Sequence, residues 1–356
     1  MLDEPATTRT DTPVVFNGET GEYFRIWIVN MALTIVTLGI YSAWATVRKR
    51  RYFYTHTHVA DGHFDFHASP VAILVGRLIA VGLIGAYFGS GYLHPLGPLV
   101  VLLAGALMFP WLIVRSRAFR MRTTSYRGLR FNFVIDYLEA FKIYYLSTLL
   151  IVITLGFGTG KALHMRNKFV VNHSGFGKTR FEFLGATDQF HSIYFRMLGL
   201  IFLTGVIMAV LTPLLVTAGA TAGNDNAYDA SAALFVVEYV ITGLFFLAYF
   251  AIGVYYRVRI RNYVWNSTVL GRNELVSSWS AREMIWLYIS NIIAIIVTLG
   301  LATPWAQIRM ARYQTSQTMV VLADDWQDYL ASGETEGSAI GDEIGEAFDV
   351  DVGVGF

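Results

Sequence analysis

The sequence predicts an α-helical protein that crosses a membrane several times and is built with internal repeats. Of its 356 residues, 54% are hydrophobic and only 15% are charged, compared with about 25% charged residues in soluble domains. A Thr-Leu-Gly motif occurs three times, at residues 37–39, 154–156 and 298–300, each time at the end of an apolar stretch. A group of Arg and Lys residues follows each copy, so we interpret the copies as parts of a longer repeated unit.

Seven apolar windows approach the roughly 18–20 residues that cross the hydrocarbon core of a bilayer. They are residues 24–46, 71–92, 99–114, 143–160, 193–216, 232–256 and 285–306. Residues 1–12 are polar and acidic and lack the basic and apolar regions of a cleavable signal. We therefore expect the first apolar window to direct insertion.

Composition also limits the chemistry. The chain has no cysteine, which excludes disulfides, thiolate metal sites and cysteine nucleophiles. No Lys or Arg follows Arg312, and residues 324–351 carry ten Asp and Glu residues. We expect residues 331–356 to form an acidic disordered tail, residues 1–15 a disordered N-terminus, and residues 16–330 the membrane domain.

The repeated unit places a polar residue inside the apolar stretch and basic residues at the end of the following helix. Asn30, Ser147 and Asn291 each lie nine residues before the motif's glycine. The basic helix end occurs five times, twice without Thr-Leu-Gly. Its residues are Arg48, Arg51, Arg115, Arg117, Arg166, Lys168, Arg257, Arg259, Arg309 and Arg312.

After four of these basic ends the pattern alternates between aromatic and polar residues, as in residues 63–66 (HFDF), 130–133 (RFNF) and 180–183 (RFEF). This period of two, with Asp-Gly and Arg-Gly turns before it, predicts β-hairpins. The hairpin insertions are predicted at about residues 52–67, 119–134, 169–184 and 263–276. A lone hairpin is only marginally stable in water, so we expect one small antiparallel sheet at the cytoplasmic surface.

The distribution of basic residues predicts the orientation, because short loops rich in Lys and Arg stay in the cytoplasm. Residues 94–98 and 217–230 contain no Lys or Arg and should be external, with both termini cytoplasmic. The window at residues 143–160 has basic regions on both sides, so we expect it to re-enter rather than cross. The helix would break at Gly156, and by repeat homology at Gly39 and at Gly300 with Pro304. Four full spans plus three re-entrant segments are favoured over seven plain spans.

Three stretches near the N-terminus carry a family resemblance: residues 23–30 (YFRIWIVN), 37–45 (TLGIYSAWA) and 47–53 (VRKRRYF). They resemble the opening of the YjgN-like family of multi-pass bacterial inner-membrane proteins, and the similarity extends from about residue 15 to residue 329. The family usually has an Asn-Thr pair where residues 55–58 read THTH. The resemblance implies an inner-membrane location and a fold, but it assigns no activity to any residue.

Two sets of residues are candidates for a site. Asn30, Ser147 and Asn291, with the acidic Glu238, could line a polar interior as in secondary transporters, or the amides and hydroxyl could simply hold helices together. The basic ends could bind anionic lipid head groups or act only as topogenic signals.

A third candidate set lies in the first predicted hairpin, where His56, His58 and His63 could reach one another and bind a metal. Solvated histidines on a hairpin face are the simpler interpretation. We therefore expect no metal and no cofactor.

The leading functional hypothesis is a transporter or channel-like conduit, whose polar interior reaches the three glycine breaks. The alternative is a membrane-embedded scaffold or sensor that binds a protein or a lipid head group through its cytoplasmic sheet. A membrane enzyme comes third, because the sequence lacks phosphate-loop, zinc-protease and nucleophile-elbow motifs. The bilayer is the expected partner, with anionic head groups as a further candidate and no nucleic acid; the oligomeric state stays open.

Overall fold

A computed structural model describes residues 9–222, 227–323 and 326, with only the helical backbone for residues 219–222 and 227–234. This part of the chain contains ten helices and ten strands. The expected acidic tail at residues 331–356 lies outside the described residues.

The element bounds are as follows. The strands are β1 (Thr10–Phe16), β2 (Thr57–Val59), β3 (Gly62–Phe66), β4 (Thr124–Tyr126), β5 (Leu129–Phe133), β6 (Ser174–Phe176), β7 (Thr179–Phe183), β8 (Thr268–Leu270), β9 (Asn273–Ser277) and β10 (Thr318–Leu322). The helices are α1 (Thr20–Val36), α2 (Ser42–Thr55), α3 (Pro70–Leu93), α4 (Gly97–Arg122), α5 (Tyr137–Ile153), α6 (Thr159–Asn172), α7 (Thr187–Ala222), α8 (Ala227–Asn266), α9 (Ala281–Val297) and α10 (Thr303–Ser316).

The strands form a closed antiparallel barrel in the order β1-β10-β9-β8-β7-β6-β5-β4-β3-β2. The expectation of a small antiparallel sheet made only of the hairpins was therefore wrong. The four hairpins do pair with one another, as Phe64 with Tyr126 and Phe181 with Leu270 show. Closure comes from β1 and β10, which pair with each other and join the two edges of the hairpin array. Residues 10–15, which we expected to be disordered, belong to β1.

The predicted hairpins also began too early, because α2, α4, α6 and α8 continue to Thr55, Arg122, Asn172 and Asn266. A Ser or Thr begins the strand after each helix that enters the barrel and donates its hydroxyl to the carbonyl four residues earlier, at 2.7–2.9 Å. These residues are Thr57, Thr124, Ser174, Thr268 and Thr318. The hydroxyl satisfies a carbonyl that the last helical turn leaves free, which stops the helix at the same place in each unit.

The barrel interior contains an apolar core. Nine of the ten strands contribute to one cluster, whose buried members are Val14, Val59, Tyr126, Leu129, Phe176, Leu270, Leu322 and Trp326, with Phe64, Phe131, Phe181 and Val320 packed against them. A cluster with members all round a closed barrel can only lie inside it. Trp326 follows β10 and stacks on Phe176 at 6.0 Å between ring centroids. Asn273 on β9 holds this segment, because its Oδ1 accepts from the Ala323 N–H at 2.9 Å.

The helices form five hairpins, each connected at both ends to strands of the barrel. Consecutive helices contact each other, and α10 contacts α1, so the helices close a ring. Four helices are long and apolar enough to cross a membrane by length and composition: α3, α4, α7 (residues 187–218) and α8 (residues 235–266). The other three apolar windows are each split into two helices at Thr-Leu-Gly, which contradicts seven plain spans.

Candidate functional site

The Thr-Leu-Gly motif forms the tip of each short hairpin, the name we use for α1–α2, α5–α6 and α9–α10. The leucine and glycine both have positive φ, near 50° for Leu38, Leu155 and Leu299 and between 93° and 96° for Gly39, Gly156 and Gly300. The glycine N–H donates to the carbonyl five residues earlier, at 2.7 Å in all three hairpins. This is a helix C-terminus that glycine favours, and it leaves the leucines 88–95% exposed at the tips.

The three polar candidates are buried within the short hairpins, and each receives a hydrogen bond from an arginine on the returning helix. Arg166 Nε donates to Ser147 Oγ at 2.7 Å, and Arg309 Nη1 donates to Asn291 Oδ1 at 3.0 Å. Arg48 Nη1 reaches Asn30 Oδ1 at 3.4 Å.

Each arginine lies nine or ten residues after the glycine, and each partner lies nine residues before it. Each segment therefore folds back on itself. Glu238 is exposed on α8, and Pro304 is buried in the first turn of α10.

The ten sequence-predicted basic residues form a belt around the molecule, which we call the basic belt. They all lie on α2, α4, α6, α8 and α10, four to nine residues before the helix enters the barrel. At a rise of 1.5 Å per residue, this places them about 6–14 Å from the helix end. The structure thus brings the five basic helix ends to one level.

The belt side chains contact carbonyl groups, hydroxyl groups and aromatic rings. Arg312 Nη2 donates to the Gly18 carbonyl at 2.9 Å, and the Arg309 guanidinium lies 5.1 Å from the Trp305 ring centre. Apart from Arg115, no belt residue forms an ion pair with Asp or Glu within the described ranges. Among the described residues, the other nine belt cations therefore concentrate positive charge without direct ion pairs.

Further cations lie beside the belt that sequence reasoning did not single out. Desolvation lowers the pKa of Lys49, with the nearby charge of Arg50 as a smaller cause. Arg77, within the apolar window of α3, reaches α2 and donates to Thr46 Oγ1 at 2.8 Å. The Arg261 guanidinium lies 4.7 Å from the Trp265 ring centre and 3.8 Å from that of Trp279. The run of basic residues at 48–51 was the available sequence signal for Lys49 and Arg50.

The three histidine candidates do not come together. His56 Nε2 lies 3.6 Å from Glu22 Oε2, while its Nδ1 lies 2.7 Å from the Tyr52 carbonyl oxygen. His58 and His63 face each other across β2 and β3 with ring centroids 6.0 Å apart. Burial lowers the pKa of His58, with smaller effects from the charges of His63 and His56.

A different group of three possible metal ligands lies close together in the described structure: Asp136, Glu139 and His173. Sequence reasoning missed this group because His173 is separated from the other two by the whole α5–α6 hairpin. The group lies between the basic belt and the barrel.

Comparison with known proteins identifies the family. The family described as "Bacterial protein of unknown function (DUF898)" matches residues 11–347. The chain belongs to this family. Three relatives are each named inner membrane protein YjgN, from Salmonella typhimurium (27% identical), Escherichia coli O157:H7 (23%) and Escherichia coli K12 (23%). Each match covers 86% of this chain and 88% of the relative. No solved structure matches.

The relatives are named as inner membrane proteins, which agrees with the four helices of this DUF898 chain that are long and apolar enough to cross a membrane. It is a multi-pass inner-membrane protein, and the expected family resemblance is confirmed. The family description assigns no activity.

Proposed function

We propose that this DUF898 protein is a membrane-embedded scaffold that binds anionic lipid head groups at its basic belt, with the barrel in the cytoplasm. The belt itself is the main support for the proposal, because five helices bring their cations to one level where, apart from Arg115, they form no ion pair with an Asp or Glu of the part of the chain that the structure describes. Arg and Lys side chains beside a bilayer attract anionic lipids by about 1 kcal/mol each.

The helix lengths support a membrane surface at the level of the belt. From Ser42, where α2 begins after the turn at the short tip, to Arg48 the chain covers six residues, or about 9 Å of helix. From Gly97 to Arg115 on α4 it covers eighteen residues, or about 27 Å. With the belt at one surface of a core about 30 Å thick, α4 crosses and the short hairpins end inside it.

The same placement supports the cytoplasmic orientation and re-entrant short hairpins. Basic residues in short connections mark the cytoplasmic side. The exposed tip leucines would then meet acyl chains, and the turn's polar groups would be satisfied as the bilayer requires, because Thr37 Oγ1 both donates to the Leu33 carbonyl and accepts from the Tyr41 N–H.

The interior favours a scaffold over a conduit. A conduit along the barrel axis needs an open path, whereas an apolar core that includes Trp326 occupies the barrel. A conduit also needs unengaged polar groups, whereas Asn30, Ser147 and Asn291 already face arginines of their own hairpins. These contacts favour the interpretation of the three residues as links between helices.

Lipid retention tests the proposal. The full chain is purified in nanodiscs that contain phosphatidylglycerol and phosphatidylethanolamine, and native mass spectrometry measures which lipids stay bound. Arg117, Lys168 and Arg257 are changed together to Gln, because these belt residues lack the hairpin hydrogen bonds that hold Arg48, Arg166 and Arg309. The matched control changes Arg130 and Arg180, exposed residues of the barrel, to Gln.

We expect the wild type and the control to retain phosphatidylglycerol selectively and the belt variant to lose that selectivity. Equal retention by the belt variant, or no preference in the wild type, would overturn the proposal.

A further inference from the structure

Three metal-ligating side chains meet where α5 leaves the barrel and α6 enters it. Asp136 immediately precedes α5, Glu139 lies in its first turn, and His173 directly follows α6. The possible ligand atoms all lie within 4.8 Å of one another, and His173 Nε2 is 3.1 Å from Glu139 Oε2. Two atoms bound to one tetrahedral Zn²⁺ at 2.0–2.2 Å are ~3.4 Å apart, so only a small adjustment would bring all three to one ion.

The histidine is oriented as a metal ligand. Its Nδ1 lies 2.9 Å from the Phe169 carbonyl oxygen, which makes Nδ1 the hydrogen-bond donor and turns the Nε2 lone pair towards the carboxylates. A metal-binding histidine usually donates its second ring N–H to a carbonyl or carboxylate in this way. The imidazole is also held in place, because its side chain is only 14% exposed and its ring lies 4.3 Å from the Phe169 ring.

The other short hairpins show why this junction differs. In α1–α2, the Tyr52 hydroxyl lies 3.2 Å from Glu22 Oε2 and 3.0 Å from the Glu19 carbonyl oxygen, so the two acceptors share its one proton. The distance from Glu22 Oε2 to His56 Nε2 is 3.6 Å, longer than the corresponding distance at His173. In α9–α10, the Tyr313 hydroxyl accepts from the Ser280 N–H at 2.8 Å and donates to the Ser280 carbonyl at 3.2 Å, and Gln317 takes the place of the histidine.

Phe169 occupies the tyrosine's position in α5–α6 and has no hydroxyl group. The Glu139 carboxylate therefore lacks the tyrosine hydroxyl that Glu22 has beside it, and it lies closer to its histidine, at 3.1 Å instead of 3.6 Å.

We propose that Asp136, Glu139 and His173 form a binding site for a divalent transition-metal ion of the Zn²⁺ type. Two carboxylates and one imidazole suit Zn²⁺, Mn²⁺ or Fe²⁺ rather than Ca²⁺ or Mg²⁺, which prefer oxygen ligands alone. Three protein ligands leave a coordination position for water or a further ligand. The ion joins the two ends of one hairpin at the barrel, and the inference does not depend on lipid binding at the basic belt.

Zinc titration of the full chain tests the site. The protein is purified in detergent, stripped with a chelator, and titrated with Zn²⁺ by calorimetry; elemental analysis after dialysis gives the stoichiometry. We expect one strong site in the wild type and none in His173→Gln, which copies Gln317, or in Glu139→Gln. Phe169→Tyr should weaken binding about tenfold by giving Glu139 a competing hydroxyl, as an outer-shell change typically does.

Glu283→Gln is the matched control and should bind Zn²⁺ like the wild type. Thermal melting of each stripped variant shows whether it is folded. Because His173→Gln and Glu139→Gln remove different ligands, a loss of Zn²⁺ binding in both would not depend on misfolding of one of them. Equal Zn²⁺ binding by the wild type, His173→Gln and Glu139→Gln would overturn the site, as would a stripped wild type that takes up no Zn²⁺.

Discussion

The short hairpins and the long hairpins, α3–α4 and α7–α8, join the same barrel and carry the same basic belt, yet they differ beyond it. In the short hairpins the chain turns at a leucine and a glycine with positive φ, about ten residues from the belt. In the long hairpins both helices continue until each can span a bilayer. Barrel and belt therefore do not determine how deep a hairpin reaches. The place of the turn does, and this difference can be tested at four levels.

Topology is the strongest test of the difference, because the result is all or none. Since the chain has no cysteine, single cysteines can replace Arg130 before α5, Arg180 after α6 and His94 between α3 and α4. We expect a membrane-impermeant maleimide to label the first two from the cytoplasmic side and the third only from outside. Labelling of Arg130→Cys and Arg180→Cys from opposite sides would show that the short hairpin crosses.

The short and the long hairpins share one barrel core, so a change in that core should lower the stability of the whole protein. Trp326→Ala removes a buried indole from the shared core and should lower the free energy of unfolding by about 3–5 kcal/mol. Denaturant unfolding in detergent measures the change. Removing residues 327–356 while keeping Trp326 is the control and should leave the midpoint unchanged; an equal loss in both proteins would assign the effect to the tail.

The cross-hairpin hydrogen bond is specific to the short hairpins. Ser147→Ala leaves the Arg166 Nε donor without its buried acceptor, which should cost about 1–3 kcal/mol of unfolding free energy. Ser316→Ala is the matched control, since both hydroxyls donate to a carbonyl three residues earlier but Ser316 is exposed. Similar melting temperatures for the two variants would show that the link to Arg166 does not stabilise the fold.

The smallest expected effect is the strain at a short tip. Gly39 has φ +93° and open space around the position of a Cβ, so Gly39→Ala should destabilise the protein through backbone strain alone, by about 1–2 kcal/mol. Gly105 on α4 also has open space but no positive φ, and Gly105→Ala should be neutral or slightly stabilising. If both alanines have the same effect in thermal melting, strain at the tip is not what distinguishes the hairpins.

The sequence predicted the parts of the fold that depend on local pattern. Apolar length predicted seven windows, and the distribution of Lys and Arg reduced them to the four long helices. Thr-Leu-Gly predicted the three breaks, and aromatic alternation predicted the strand hairpins. Barrel closure could not be predicted, because β1 and β10 lie some 300 residues apart and neither belongs to a local hairpin. Pro13 within β1 also argues against a strand assignment.

The contacts of the candidate residues were harder to predict from the sequence than the helices and strands. The equal spacing of Asn30, Ser147 and Asn291 from their glycines was visible, but their pairing with Arg48, Arg166 and Arg309 needs the register of the folded-back helices. The Asp136, Glu139 and His173 group has no sequence signature, because a barrel junction brings its members together. The burial of Trp326 was hidden for the same reason, since the residue borders an acidic stretch that predicts disorder.

The pairing of β1 with β10 has a consequence for biosynthesis. During translation the first strand emerges before any helix inserts, and its partner emerges only after the last helix. Until then β1 and β9 each expose an open edge that can pair with another chain. The nascent protein can thus form all its helical hairpins in order, but the barrel is protected from misassembly only when the ribosome has delivered β10.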